Sequence, residues 1–282
     1  MIDSVVITGA STGIGAACAL HLDALGLRVF AGVRNAADGD ALRAQSSSRL
    51  VPVRIDVTDL ASITAAVNTI QSLVGDSGLG GLVNNAGIAV GGPLEMLPLD
   101  ELRRQLEVNV VGQLAVTQAF LPLLRKGRGR IVNMGSIAGR VPLPLVGPYS
   151  MSKFALNAMT KSLRLEVDAW GIKVAIVEPG AIATPIWKKS TAAADTLYPD
   201  QNDALYREHF ACIRHMLTEA ERHAIPAEAV AKAVAHALTA RRPKTHYLVG
   251  ADARARAFLN VLLPQRAQDA LHRWFLKFPR RR

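Results

Sequence analysis

The chain has 282 residues, half of them apolar and 5% aromatic, and a formal net charge of +10. That length suits one sizeable α/β domain and is short for two. No apolar run approaches the roughly 18–20 residues that span a bilayer, no signal-type segment opens the chain, and the two cysteines, Cys18 and Cys212, form neither a metal-type cluster nor an expected disulfide.

The predicted elements alternate along the chain. Residues 4–9 read as a buried strand ending in glycine, and residues 14–25 as a helix closed by Gly26. A strand at 28–33, a helix at 38–45, a strand at 50–57 and a helix at 60–74 follow. Next come a strand at 81–84, a long helix at 99–125, a strand at 130–134, a helix at 149–169 and a strand at 173–177. Residues 181–225 form the least regular stretch and are expected to be a lid over a substrate. A helix after Pro226, reaching about 239, and a strand at 245–249 complete the pattern. Strict alternation implies right-handed βαβ crossovers and an α/β, doubly wound parallel sheet with helices on both faces. Ligands of such sheets bind at the carboxyl ends of the strands, where strand order reverses.

The charge is unevenly placed. Residues 241–282 hold eleven Lys and Arg against Asp252 and Asp269, which leaves residues 1–240 close to neutral. The expected division is therefore a catalytic unit at 1–250, lid included, and a basic apolar extension at 251–282. Phe258, Leu259, Val261, Leu262, Leu263, Leu271, Trp274, Phe275, Leu276 and Phe278 lie among its cations, and Pro264 breaks it in two. Packing over the pocket or a subunit is the favoured reading. A peripheral membrane contact is the alternative. No helix-turn-helix, zinc or RNA-binding motif is present, so nucleic acid is not an expected partner. The chain reads as cytoplasmic.

Thr8-Gly9-Ala10-Ser11-Thr12-Gly13-Ile14-Gly15 joins the first strand to the first helix. Glycines let a pyrophosphate approach the backbone, and the helix N-terminus offers free N–H groups and the positive end of a dipole. Strand before and helix after is the context a dinucleotide cradle requires. The spacing Gly-x-x-x-Gly-x-Gly resembles that of the short-chain dehydrogenase/reductase family, within which the chain looks most like the 17-beta-hydroxysteroid and retinol dehydrogenase group. The resemblance continues in order through Asp56-Val57, Asn84-Asn85-Ala86-Gly87, Asn109, Ser136, Tyr149, Lys153, and Pro179-Gly180 with Ile182 and Thr184.

That resemblance implies a single-domain Rossmann-type fold and oxidoreductase chemistry on an alcohol or ketone. Gly9, Ser11, Thr12, Gly13, Ile14 and Gly15 would hold the cofactor phosphates. Asp56 and Val57 would meet adenine, Asn85, Ala86 and Gly87 the adenosine side, and Pro179, Gly180, Ile182 and Thr184 the nicotinamide. Tyr149 and Lys153, four residues apart on one helical face, would form the proton-transfer pair. The ammonium would lower a phenol pKa that is ordinarily about 10. Ser136 would hold the substrate oxygen, and Asn109 would anchor a water leading to Lys153. A homodimer or homotetramer through helices 99–125 and 149–169 is also implied.

The second strand ends in Val33 followed by Arg34 rather than an acid. An acid would accept from a ribose 2′-OH, whereas a guanidinium matches a 2′-phosphate. NADP(H) is the expected cofactor and NAD(H) the alternative. Val141, Leu143, Ile186 and Trp187, with Ser136 and Tyr149, are candidate walls for a bulky apolar carbonyl or alcohol. Reduction of a 3-oxoacyl thioester and a non-catalytic NADP(H) sensor are the rival readings.

Overall fold

The computed structural model describes residues 2–198 and 205–276. Seven strands form one parallel sheet: β1 (Ser4–Ile7), β2 (Arg28–Val33), β3 (Leu50–Arg54), β4 (Gly81–Asn84), β5 (Arg130–Met134), β6 (Lys173–Pro179) and β7 (His246–Val249), in the order β3-β2-β1-β4-β5-β6-β7. The chain winds outward from β1 to β3, then returns to place β4 on the other side of β1. This reversal between β1 and β4 is the crevice where such sheets bind ligands.

Side chains alternate across the sheet. Val5 and Ile7, Val29 and Ala31, Val83, Val132 and Ala175 enter one core. There they meet Cys18, Ala19 and Leu22 of α1 (Gly13–Ala24), and Val230, Ala231 and Val234 of α9 (Ala227–Thr239). Val6, Phe30, Leu82, Ile131 and Val174 enter the opposite core. That core contains Ile63 and Ile70 of α3 (Leu60–Val74), Val116 and Phe120 of α5 (Gly112–Gly127), and Leu163 of α6 (Gly147–Glu166). Burial on both faces explains why the strands read as nearly continuous apolar runs. Buried polar residues interrupt them, two of which, Asn84 and Asn133, are linked to each other. Asn84 Nδ2 donates to Thr117 Oγ1 at 2.8 Å and to Asn133 Oδ1 at 2.9 Å, and Asn133 Nδ2 donates to Thr160 Oγ1 at 2.8 Å. This buried chain joins α5, β4, β5 and α6.

Several elements differ from their expected bounds. β1 stops at Ile7 because Gly9 turns the chain at φ +63°, and β6 continues to Pro179. The segment expected as one helix at 99–125 is α4 (Leu99–Leu106), a π-helical turn at Glu107–Val111, and α5. By length and composition the whole run Leu99–Gly127 could cross a bilayer, contrary to expectation. In this fold Val116, Phe120 and Leu124 of that run pack against the sheet. The helix expected at 149–169 starts two residues earlier and ends at Glu166.

The segment expected as a lid, 181–225, is more regular in its described residues than its sequence suggests. It contains α7 (Ile186–Leu197) and α8 (Arg207–Arg222), and a bridge from Ile182 to Ile225 ties its two ends together. α2 (Ala36–Arg43) follows β2. At the C-terminal end, α10 (Ala251–Leu262) and α11 (Gln265–Leu276) flank Pro264. Lys277, Phe278 and Arg280–Arg282 of the basic extension lie outside the described residues.

Candidate active site

The turn after β1 and the loop after β4 interlock. Thr8 Oγ1 accepts the N–H groups of Asn85 and Ala86 at 3.0 Å each. Asn85 Nδ2 donates to the carbonyls of Thr8 at 2.9 Å and Gly9 at 3.0 Å. A Cβ on Gly15 would stand 2.1 Å from the Gly9 oxygen, and one on Gly13 would press on Thr184 at 3.2 Å. Only glycine allows these approaches. Thr12 begins α1 without a side-chain cap, so first-turn N–H groups are left to a ligand. This cradle fits the pyrophosphate of a dinucleotide.

One cavity of about 430 Å³ runs from this cradle to the Tyr–Lys pair. It is lined by Gly9, Ser11, Thr12, Gly13, Ile14, Gly15, Arg34, Asp56, Val57, Asn85, Ala86, Gly87, Ser136, Tyr149, Lys153, Pro179, Gly180, Ile182, Thr184, Ile186 and Trp187. Every residue expected to touch a cofactor therefore faces one space. At the far end Arg34 is exposed. Asp56 accepts from the Thr58 N–H at 3.0 Å and the Thr58 hydroxyl at 2.7 Å. The Thr58 N–H holds its carboxyl below the usual range, and the nearby Arg34 and Arg54 charges add to this.

Ser136 caps a 3₁₀ turn, Ile137–Gly139, by accepting from the Ala138 N–H at 3.1 Å. Pro148 opens α6, and Tyr149 and Lys153 follow one turn apart, both buried. The Lys153 ammonium lies 5.6 Å from the centroid of the Tyr149 ring and donates to the Met134 carbonyl at 2.7 Å. The Trp187 ring meets Tyr149 edge-on at 5.6 Å. Burial drives both titrations here. It pushes the Tyr149 phenol up, a hydrogen bond with Ser136 opposing it, and it brings Lys153 down to about 8. The expected lowering of the phenol by the ammonium is not what opposes burial here: the opposing contribution comes from Ser136.

Asn109 sits in the π-helical turn and does not line the cavity. Its Oδ1 accepts the Ile88 N–H at 2.9 Å, and its Nδ2 donates to the Ile88 carbonyl at 3.0 Å and to Ser152 Oγ at 3.1 Å. A side chain so engaged positions the loop after Gly87. Gln105, one turn earlier, acts similarly on Val90 and Ile88 at 2.7 and 2.9 Å. Its spacing from Asn109 was the available signal for it. Gln113 holds the Ala86 carbonyl at 2.8 Å. Gln105, Gln113 and the cavity-lining Lys189 and Arg104 all escaped the motif reading, and Thr8 stood in the glycine motif without a role of its own.

Val141 and Leu143 require correction as substrate walls, because they line neither this cavity nor its neighbour. Val141 is buried with Ile137 against Ala253 and Ala257 of α10. The neighbour, about 50 Å³, shares Trp187 and is walled by Leu145, Val146, Phe210, Ile213 and Leu217, among others. Leu145 adopts a left-handed φ of 62°, and its carbonyl accepts the Gly92 N–H at 2.7 Å. That conformation is unusual for a non-glycine residue.

A glycine cradle at the sheet reversal, joined by one cavity to a buried Tyr–Lys pair, belongs to a dinucleotide-dependent oxidoreductase. Residues 3–195 match the short chain dehydrogenase family, and the chain belongs to that family. It is 36% identical to an NADPH-dependent 3-dehydrocapnine reductase of Ornithobacterium rhinotracheale, over 94% of each chain. It is also 36% identical to retinol dehydrogenase 5 of Mus musculus, over 98% of this chain and 89% of that protein. Among solved structures, it is similar to a short chain dehydrogenase from Burkholderia cenocepacia in complex with NADP (TM-score 0.73, 28% identity, 98% of both chains). A short-chain dehydrogenase from Streptomyces avermitilis is also similar (TM-score 0.76, 27% identity, 98% and 96%).

The depressed Lys153 has a thermodynamic consequence. Folded Lys153 releases its proton near pH 8, whereas an ordinary lysine holds it to 10.5. In that window the unfolded state binds more protons at this site, so the Lys153 contribution to stability rises with pH, against an opposing contribution from Cys18, whose buried thiol is pushed up to about 12. Urea unfolding of the cofactor-free protein between about pH 8 and 10 should show the stability of the wild type rising with pH relative to that of Lys153→Met, in which this contribution is gone. An unchanged slope in the variant would contradict burial as the cause.

Proposed function

We propose that this chain is an NADP(H)-dependent reductase and dehydrogenase that interconverts a bulky apolar ketone and its alcohol. One observation carries the reading: the glycine cradle, Arg34 and the buried Ser136, Tyr149 and Lys153 share a single cavity. A bound nicotinamide would supply or accept the hydride. Burial keeps the Tyr149 phenol protonated at neutral pH, which suits donation of that proton to a ketone oxygen. Ser136, hydrogen-bonded to the phenol, would hold the same oxygen from a second direction. Lys153, still largely charged at pH 7, would stabilise the phenolate left after transfer. These features favour reduction. Asn109 and Gln105 hold the loop that forms one wall.

Arg34 supports NADP(H) over NAD(H), since it is exposed beside the cavity where a 2′-phosphate would lie. The substrate end is apolar, with Ile88, Ile186 and Trp187 in the main cavity and Leu145, Val146, Phe210 and Leu217 in the neighbour. Relatives named for retinol and 3-dehydrocapnine add support for a large carbonyl or alcohol substrate.

Two surfaces support partners. Leu99, Val111 and Leu114 on the α4–α5 run, with Met151, Phe154 and Leu165 on α6, are exposed. They suit a homodimer or homotetramer. In the extension, Ala253 and Ala257 of α10 pack behind the Ser136 segment, while Phe258, Val261, Leu262 and Trp274 point outward at 66, 84, 64 and 76% exposure. Exposed Arg254, Arg266 and Arg273 lie among them. A cytoplasmic enzyme touching an anionic membrane through α10 and α11 accounts for that combination.

Tyr149→Phe should reduce turnover of a bulky ketone by at least about 10²-fold while NADPH still binds, as read by 340 nm kinetics and NADPH fluorescence. Full turnover in the variant would reject the proton-donor role. Arg34→Asp should weaken NADPH binding tenfold or more, a charge-assisted bond being worth roughly 1.5–3 kcal/mol, with little change for NADH. Equal effects on the two cofactors would reject the 2′-phosphate contact. Sedimentation with phosphatidylserine vesicles at low salt should carry down the wild type but less of a Phe258→Ser/Val261→Ser/Trp274→Ser variant. No sedimentation of the wild type would remove the membrane contact.

A further inference from the structure

Glu178 is the penultimate residue of β6, immediately before Pro179–Gly180, and is fully buried. A carboxylate in such a place is costly unless every oxygen is engaged. Here the engagement is complete. Arg140 grips it with both arms of its guanidinium, Nε to Oε1 and Nη2 to Oε2 at 2.7 Å each. Asn157 Nδ2 donates to Oε1 at 3.1 Å, and His246 Nδ1 lies 3.1 Å from Oε2. The same His246 nitrogen lies 2.7 Å from Arg140 Nη2.

The partners come from the segments that carry the site. Arg140 follows Ser136 by one tight turn. Asn157 lies one helical turn beyond Lys153 on α6. His246 opens β7, whose last residue, Val249, accepts the Gly180 N–H at 2.9 Å. Glu178 itself leads into the Pro179–Gly180 wall of the cavity. Close backbone contacts reinforce this arrangement. A Cβ on Gly135, just before Ser136, would stand 3.1 Å from Glu178 Cγ, and one on Gly139 would stand 2.8 Å from the Lys153 carbonyl oxygen. The Ser136 turn is therefore seated directly between the buried carboxylate and the Lys153 backbone. None of these four polar residues lines the cavity.

We infer that the Glu178–Arg140 fork is a positioning device that sets Ser136 against Tyr149 and Lys153, with Asn157 and His246 fixing its orientation. The inference rests on the proton-transfer reading of those three residues. The bidentate fork fixes direction as well as distance. Its loss would let the Ser136 turn drift relative to α6 without disturbing the glycine cradle on the other side of the sheet reversal. Misplacement of about 1 Å can cost roughly 10²-fold in rate.

The test measures kcat and NADPH affinity on the same substrate that the wild type turns over, with Tyr149→Phe run alongside. Glu178→Gln, which keeps the shape and removes the charge, should lower kcat about 10–100-fold and leave the NADPH dissociation constant within about threefold. Arg140→Met should do the same. Arg140→Lys, which keeps the charge and loses the fork, should recover only part of the rate. The double variant Glu178→Gln/Arg140→Met should be no slower than either single variant, because both break one device. A folded, NADPH-binding Glu178→Gln protein with wild-type kcat would overturn the inference, as would losses that multiply in the double variant. If Glu178→Gln does not fold, Arg140→Lys and Asn157→Ala carry the same kcat-against-affinity comparison. Failure of the underlying chemistry would appear separately, as full activity in Tyr149→Phe.

Discussion

The structure depends on the interlock between the turn after β1 and the loop after β4. The Thr8 hydroxyl and the Asn85 amide together make four hydrogen bonds across the sheet reversal. Gly9 and Gly15 allow the two backbones to meet there. The reversal leaves the carboxyl ends of β1 and β4 open, and the interlock gives that opening a fixed shape. It places the N-terminus of α1, without a side-chain cap, at one end of the cavity. The loop that Gln105, Asn109 and Gln113 then hold in register runs on from it. The phosphate end and the carbonyl end are thus two regions of one rigid edge.

Burial governs the chemistry of the other end. Tyr149 and Lys153 are enclosed between β5, the 3₁₀ turn after it and Trp187 of α7. Desolvation moves the phenol up and the ammonium down, which keeps a proton on the tyrosine and brings the lysine closer to neutrality. A solvated Tyr–Lys pair at the same helical spacing would keep both groups near their ordinary values of 10.0 and 10.5. Removal from water rather than proximity alone sets the pair apart. The Glu178–Arg140 fork is the corresponding device behind the Ser136 turn, where a second buried charge is stabilised by its partners.

The C-terminal helices serve two faces. α10 packs Ala253 and Ala257 behind the Ser136 segment, and Asp252 in its first turn accepts the Ala181 N–H at 2.9 Å, beside the Pro179–Gly180 wall. Its outer face, with that of α11, presents aromatic and aliphatic residues among arginines. The inner contacts explain why α10 is ordered against the catalytic unit despite its exposed apolar surface.

The alternation of elements, the parallel sheet and the glycine cradle that lines the cavity were legible in the sequence. Buried parallel strands must be apolar on both faces, and close backbone approach to a phosphate demands glycine at set positions, so both leave local signatures. The helices α7 and α8 were less legible, because α7 is amphipathic without buried residues and takes its place from contacts distant in sequence, such as that of Trp187 with Tyr149. The π-helical turn at Asn109 was invisible for a similar reason. It is selected by the match of one amide to the Ile88 backbone and Ser152, a pairing that spacing does not encode. Val141 looked like a substrate wall because apolar residues near a catalytic serine suit either a pocket or a core, and only the arrival of α10 assigned it to the core. The gathering of Arg140, Asn157 and His246 around the buried Glu178 carboxylate likewise required the folded chain. The sequence determined which residues could do the chemistry. The tertiary structure decided which of them face the cavity, which hold others in place, and what charge each carries, since burial and partner geometry arise only when distant segments meet.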